Sequence, residues 1–236
     1  LAIGCGSNRW IAGDSSYNVT LAGIVTATAA GYLCASTICA DKYCGDSDSN
    51  FIAGTSAGLA ITDHSTSAVY NIFIGRETAK KINTGCDNII LGRNVFQNAT
   101  KACKNVIIGT RNAICFNGTD NPQNNVFIGH CVAYQMSGNM NHNVAMGSCA
   151  SFAGCTGSGV AIGQNAGYGV QGQINYNNVF LGTNTGYAIS TGGHNVAVGP
   201  YAGQQLYKGC LNVYLGSQAG FNQLNGGCNI AIGCGA

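Results

Sequence analysis

A five-residue signature, Asn-[Val/Ile]-x-[Ile/Leu/Val/Met]-Gly, recurs along most of this chain and constrains its fold more than any other feature. It occupies residues 71–75, 88–92, 105–109, 125–129, 143–147, 178–182, 195–199, 212–216 and 229–233. One variant opens on Gly159 and closes on Gly163, and looser copies lie at 50–54 and 18–22. From Gly75 to Gly233 the closing glycines are 17, 17, 20, 18, 16, 19, 17, 17 and 17 residues apart. About 17 residues holding one or two short strands is one coil of a β-solenoid, and is too short for a propeller blade or a helical repeat. A second pattern, Gly-x-x-Ala-Gly-[Phe/Tyr], follows the strand at 163–168 and 216–221, and at 182–187 with Thr185 in the Ala position.

Composition narrows the alternatives. Charged residues are only 8% of the chain against 46% hydrophobic, a balance opposite to that of disordered chains. With 36 Gly but 2 Pro and no Gly triplets, a collagen helix is excluded. Gly and Asn are poor helix formers, and so few charges draw no amphipathic stripe. The expected fold is therefore all-β, a parallel β-solenoid (β-roll or β-helix) of about 13 coils and roughly 60 Å, each coil adding about 4.8 Å. It is expected to form a single domain over 1–236, with an irregular section at about 23–53 that holds Cys34, Cys39, Cys44, Asp41, Asp46 and Asp48.

Alternation along a strand divides its residues between two faces. The pairs Val179 and Leu181, Val196 and Val198, Val213 and Leu215, and Ile230 and Ile232 read as the interior stacks. The residue between them would then point outward: Phe73, Ile90, Ile107, Phe127, Ala145, Ala161, Phe180, Ala197, Tyr214 and Ala231. Such a stripe exceeds the apolar patch a soluble monomer normally shows, so it reads as a packing face against another chain. The column of Asn residues reads as a structural amide ladder from coil to coil.

The chain holds 13 cysteines, which suits an oxidising compartment, and the sequons at Asn18, Asn98 and Asn117 are candidate glycosylation sites of a secreted or surface protein. Cys86 and Cys103 each lie six residues before a repeat Gly, and Cys131 and Cys149 each two after one. Cys210 and Cys228 lie six and five before. Equivalent positions on adjacent coils come within disulfide reach, making these three candidate intrachain pairs. Cys5 and Cys234 both follow a Gly directly, in the similar stretches Leu1–Gly6 and Ile230–Gly235. They form a candidate intersubunit pair. Spacing assigns no partners to Cys34, Cys39, Cys44, Cys115 and Cys155.

Little points to catalysis, and the chain reads as a non-enzyme without a cofactor. No Asp or Glu follows Asp120, no phosphate-binding Gly-Lys loop occurs, and His64, His130, His142 and His194 lack metal spacing, so no metal site is expected. Residues 71–120 carry seven basic and three acidic residues without an aromatic platform, so no nucleic-acid partner is expected. Leu21–Ala40 is uncharged but broken by Gly23 and Gly31 and lacks basic flanks, which argues against a membrane span. An ice-binding solenoid would show an outward array of Thr, and the column read as outward has none.

Asn195-Val-Ala-Val-Gly199 and Asn229-Ile-Ala-Ile-Gly233 resemble the Val-Ala-Ile-Gly repeats of trimeric autotransporter adhesin heads and of viral and phage fibres. The resemblance covers the chain from about residue 50. It implies a left-handed β-roll, trimerisation through an apolar face and binding of a cell-surface ligand. The residues themselves lead to an extracellular filament subunit whose partner is itself. It would assemble head to tail through exposed strand ends, stabilised by disulfides, and the alternative is a trimeric adhesin or viral fibre segment.

Overall fold

A computed structural model of the chain describes residues 2–5, 8–13, 19–21, 49–61, 67–114, 120–135, 140–151, 158–170 and 176–236. Its contacts divide it into two compact units, Leu1–Tyr43 and Cys44–Ala236. The first contains β1 (Ala2–Cys5), β2 (Asn8–Gly13) and β3 (Val19–Leu21) in an antiparallel sheet of order β1-β2-β3. Ala2–Cys5 therefore departs from the coil strand expected of it. Only Gly6 and Ser7 separate β1 from β2, a connection that fits a hairpin and is far too short for a parallel crossover. Most of the section at 23–53 and most of Leu21–Ala40 fall outside the described residues.

The second unit is a parallel β-solenoid. Its main ladder comprises β4 (Phe51–Ala53), β6 (Ile72–Ile74), β8 (Ile89–Arg93), β10 (Val106–Thr110), β11 (Val126–His130), β12 (Asn143–Met146), β13 (Gly159–Ile162), β14 (Val179–Leu181), β15 (Val196–Val198), β17 (Val213–Leu215) and β19 (Ile230–Ile232). These 11 strands pair in chain order, and each register matches one signature residue to the same residue of the next coil. The ladder is shorter than the 13 coils expected, because the N-terminal residues build their own sheet. No helix occurs among the described residues.

Two residues of the signature explain why the strand repeats so strictly. The closing glycines adopt left-handed φ values, as at Gly109 (135°), and sit against the next coil's backbone. A Cβ on Gly109 would lie 1.8 Å from the Gly129 carbonyl oxygen, so no other residue fits. The opening Asn residues are buried and bonded across the coil and along it. Asn88 Nδ2 donates to Asn71 Oδ1 at 2.8 Å and to the Ala102 carbonyl at 2.8 Å, and the Asn88 amide donates to Asn71 Oδ1 at 3.1 Å. The same pattern runs from Asn50 to Asn143 and again from Asn178 to Asn229. Gly159 interrupts it and leaves the Asn143 Oδ1 buried without a partner.

The ladder also reverses the expected faces. Phe73, Ile90, Ile107, Phe127, Ala145, Ala161, Phe180, Ala197 and Tyr214 point inward and are buried in the chain's own core. They are not a packing face for another chain. The flanking residues read as interior stacks point outward instead, and Ile72, Ile74, Ile89 and Ile162 are each more than a third exposed. The reason is parity. The signature Asn lies two residues before the central residue and so shares its face. An amide ladder that also reaches carbonyls across the coil has to lie inside. Core volume then varies between aromatic and Ala, and small residues face the rings. A Cβ on Gly186 would lie 2.5 Å from Phe180, and one on Gly220 2.4 Å from Tyr214.

Opposite the main ladder runs a shorter one. β5 (Ser67–Val69), β7 (Thr84–Cys86) and β9 (Lys101–Cys103) pair in parallel, as do β16 (Lys208–Cys210) and β18 (Asn225–Gly227). Between these two sheets the described residues retain only single bridges, Cys103 with Gln123, Gln123 with Asn141 and Tyr176 with Gly193.

Candidate functional site

The outer face of the main ladder is the most extensive surface feature. Every strand sends two residues outward. One column runs Phe51, Ile72, Ile89, Val106, Val126, Val144, Val160, Val179, Val196, Val213 and Ile230. The other runs Ala53, Ile74, Leu91, Ile108, Ile128, Met146, Ile162, Leu181, Val198, Leu215 and Ile232, and neither contains a polar or charged residue. With strands about 4.8 Å apart and the two columns about 7 Å apart, the face measures on the order of 600 Å². That is the upper end of the largest patch on an ordinary monomer. Its residues lack the Thr array of an ice-binding face.

The cysteine columns come out differently from one another. All seven cysteines with described side chains carry free thiols. Cys86 and Cys103 are register partners with sulfurs 3.0 Å apart. The hydrogen bond to Cys103, burial and the Asp87 carboxylate together push the Cys86 thiol up to about 12. Cys131 and Cys149 occupy the same left-handed position of successive coils, with φ of 53° and 54°. Burial and the neighbouring Cys149 raise the Cys131 thiol, while Arg111 opposes them, and its sulfur lies 3.4 Å from His130 Nε2. Cys210 pairs with Gly227 instead of Cys228, which lies one position further along and donates its amide to the Cys210 carbonyl. The one-residue difference in spacing is thus a real offset of register.

Cys5 and Cys234 lose the equivalence that joined them in the sequence. Cys5 ends an antiparallel strand and its side chain is outside the described residues, whereas Cys234 is exposed just after the parallel strand β19. Cys34, Cys39, Cys44, Cys115, Cys155, Asn18 and Asn117 also fall outside the description. Asn98 is half-buried, and its Nδ2 donates to the Ile114 carbonyl at 2.8 Å. In the basic coils Arg111 lies over the Tyr134 ring at 5.4 Å, and Glu77 pairs loosely with Lys80 at 3.9 Å. No group of three His, Cys, Asp or Glu among the described residues is placed to hold a metal ion. No helix among them is long and apolar enough to cross a membrane.

No protein-family model, no curated protein and no solved structure matches this chain.

Proposed function

We propose that this chain is a structural β-solenoid, a subunit of an extracellular fibre whose copies pack side by side through the aliphatic face of the main ladder. The observation that carries the reading is the pair of outward columns from Phe51 to Ile232, apolar at every position. Two copies packed face to face would bury on the order of 1,200 Å² in total, which reaches the lower bound for a stable interface. The resemblance to adhesin-head and fibre repeats agrees with lateral packing, and extends to a cell-surface ligand as the fibre's further partner. The cysteine content and the sequons support an extracellular setting.

Head-to-tail growth is the second reading, favoured by one observation. Ile230 and Ile232 in β19 are the most exposed members of their columns, at 74% and 66%. A strand added there would cover them and extend the ladder, as at other open sheet edges.

Sedimentation velocity and electron microscopy of the native protein and of Ile128→Lys with Val179→Glu test both. Both side chains project from mid-ladder strands without entering the core, so the variant retains its β-sheet circular dichroism. Lateral packing predicts a native multimer that the double variant reduces to single solenoids. A native protein that sediments as a monomer, or a multimer untouched by the two charges, overturns it. Filaments that survive the charges and grow along the solenoid axis establish the head-to-tail reading.

A further inference from the structure

Away from the aliphatic face, the pair Cys86 and Cys103 brings together groups with a chemistry of their own. Their strands β7 and β9 are in register, both side chains project outward, and both are half-buried. Cys103 Sγ accepts twice, from the Cys86 amide at 3.2 Å and from the Cys86 thiol at 3.0 Å. The proton between the sulfurs therefore sits on Cys86, next to the Asp87 carboxylate, and Cys103 is the nucleophilic partner. Burial and hydrogen bonding that hold Cys86 protonated up to about 12 agree with this division.

Both sulfurs open into a shallow groove of about 220 Å³ on the β7–β9 face, lined also by Thr84, Lys101 and Asn121. Lys101 is the one charged lining residue, so the groove favours an acidic molecule. Register partners on parallel strands lie about 4.8 Å apart, inside the Cα separation that a disulfide accepts. The other cysteine columns lack this combination, since Cys210 faces Gly227 and the Cys131 sulfur lies buried against His130.

We propose that Cys86 and Cys103 form a reactive dithiol site for small acidic disulfides of the glutathione class. The Cys103 thiolate attacks one sulfur of the small disulfide, forming a mixed disulfide and expelling one small thiol. Cys86 gives up its proton and attacks Cys103 Sγ, expelling the second small thiol and closing a disulfide between adjacent coils. One small disulfide is reduced to two thiols as the two protein thiols are oxidised, and no further oxidant is needed. This site is independent of lateral packing and stands or falls without it.

The test uses the full chain, reduced, desalted and incubated with oxidised glutathione, with remaining thiols alkylated and the peptides mapped. The native protein yields a linked Cys86–Cys103 peptide pair and two reduced glutathiones per site. Cys86→Ser stops at a glutathione adduct on Cys103, while Cys103→Ser acquires its adduct on Cys86 at least about tenfold more slowly. An uncharged disulfide of similar size closes the native bond more slowly than oxidised glutathione. Unlinked, fully alkylated Cys86 and Cys103 under conditions that modify exposed Cys210 overturn the proposal. Equal rates for the two serine variants, or for the charged and uncharged disulfides, overturn the roles given to Cys103 and Lys101. Circular dichroism of each variant confirms its fold, and the native mapping needs no substitution.

Discussion

The two ladders of the solenoid run side by side through the same coils, yet one is continuous over 11 strands and the other breaks into sheets of three and two. Coil length explains the difference. From the opening residue of the signature to its closing Gly there are always four steps, so the main strand never changes length. All variation falls in the remaining arc. The short ladder forms where successive glycines are 17 residues apart, as from Gly75 to Gly109 and from Gly199 to Gly233. Across the intervals of 20, 18, 16 and 19 residues it is reduced to isolated bridges. The main ladder tolerates these insertions because side chains fix its register: each Asn bonds the coil before it, and each Gly admits the backbone of the coil after it. Nothing comparable pins the short ladder.

That contrast breaks most sharply at the glycine column. Gly109→Ala forces a Cβ into the Gly129 carbonyl at a φ of 135°, and is expected to cost about 4 kcal/mol or more, or to prevent folding. Urea unfolding against native protein measures it, and unchanged stability would remove the steric account. Next is Asn88→Ala, which removes an amide that gives and receives bonds on both sides. Partners left buried and unpaired put its cost at about 3 kcal/mol. Gly159→Asn sharpens the comparison in the other direction. It restores the missing rung, offers the Asn143 Oδ1 a donor and is expected to stabilise by about 1 to 2 kcal/mol. A Cβ at Gly159 would meet nothing closer than 3.3 Å, so a loss of stability there would refute the ladder as its cause.

The smallest effect belongs to the short ladder. Cys86 holds its proton up to about 12, against an ordinary thiol value of 9.0. The folded state thus binds this proton more tightly than the unfolded chain. Its contribution is complete below about pH 9 and is lost as pH rises from there toward 12. Burial raises Cys131, Tyr168 and Tyr214 in the same direction. Thermal melts of the reduced protein should therefore fall above pH 9, and Cys86→Ser should flatten part of that fall.

Much of this was legible in the residues. Recurrence of the signature at a 17-residue period specified a parallel solenoid, and the shared column of Cys86 and Cys103 placed those two side by side. The Asn column was readable as a ladder without any coordinates. Its parity also held the signal that Phe73, Phe127, Phe180 and Tyr214 lie inside, because they share a strand face with the buried amides. Hydrophobicity alone hides that signal, since both faces of the strand are apolar and alternation separates them without saying which is inner.

By itself the sequence determined the coil, because a strand of fixed length bounded by an amide-bearing residue and an obligatory glycine can pair only with copies of itself in register. The tertiary structure decided the rest. Which apolar face is buried depends on carbonyls across the coil that exist only once the chain has turned. Whether Ala2–Cys5 joins the ladder depends on a two-residue connection that closes a hairpin. Whether Cys210 meets Cys228 depends on a register that one residue of spacing displaces.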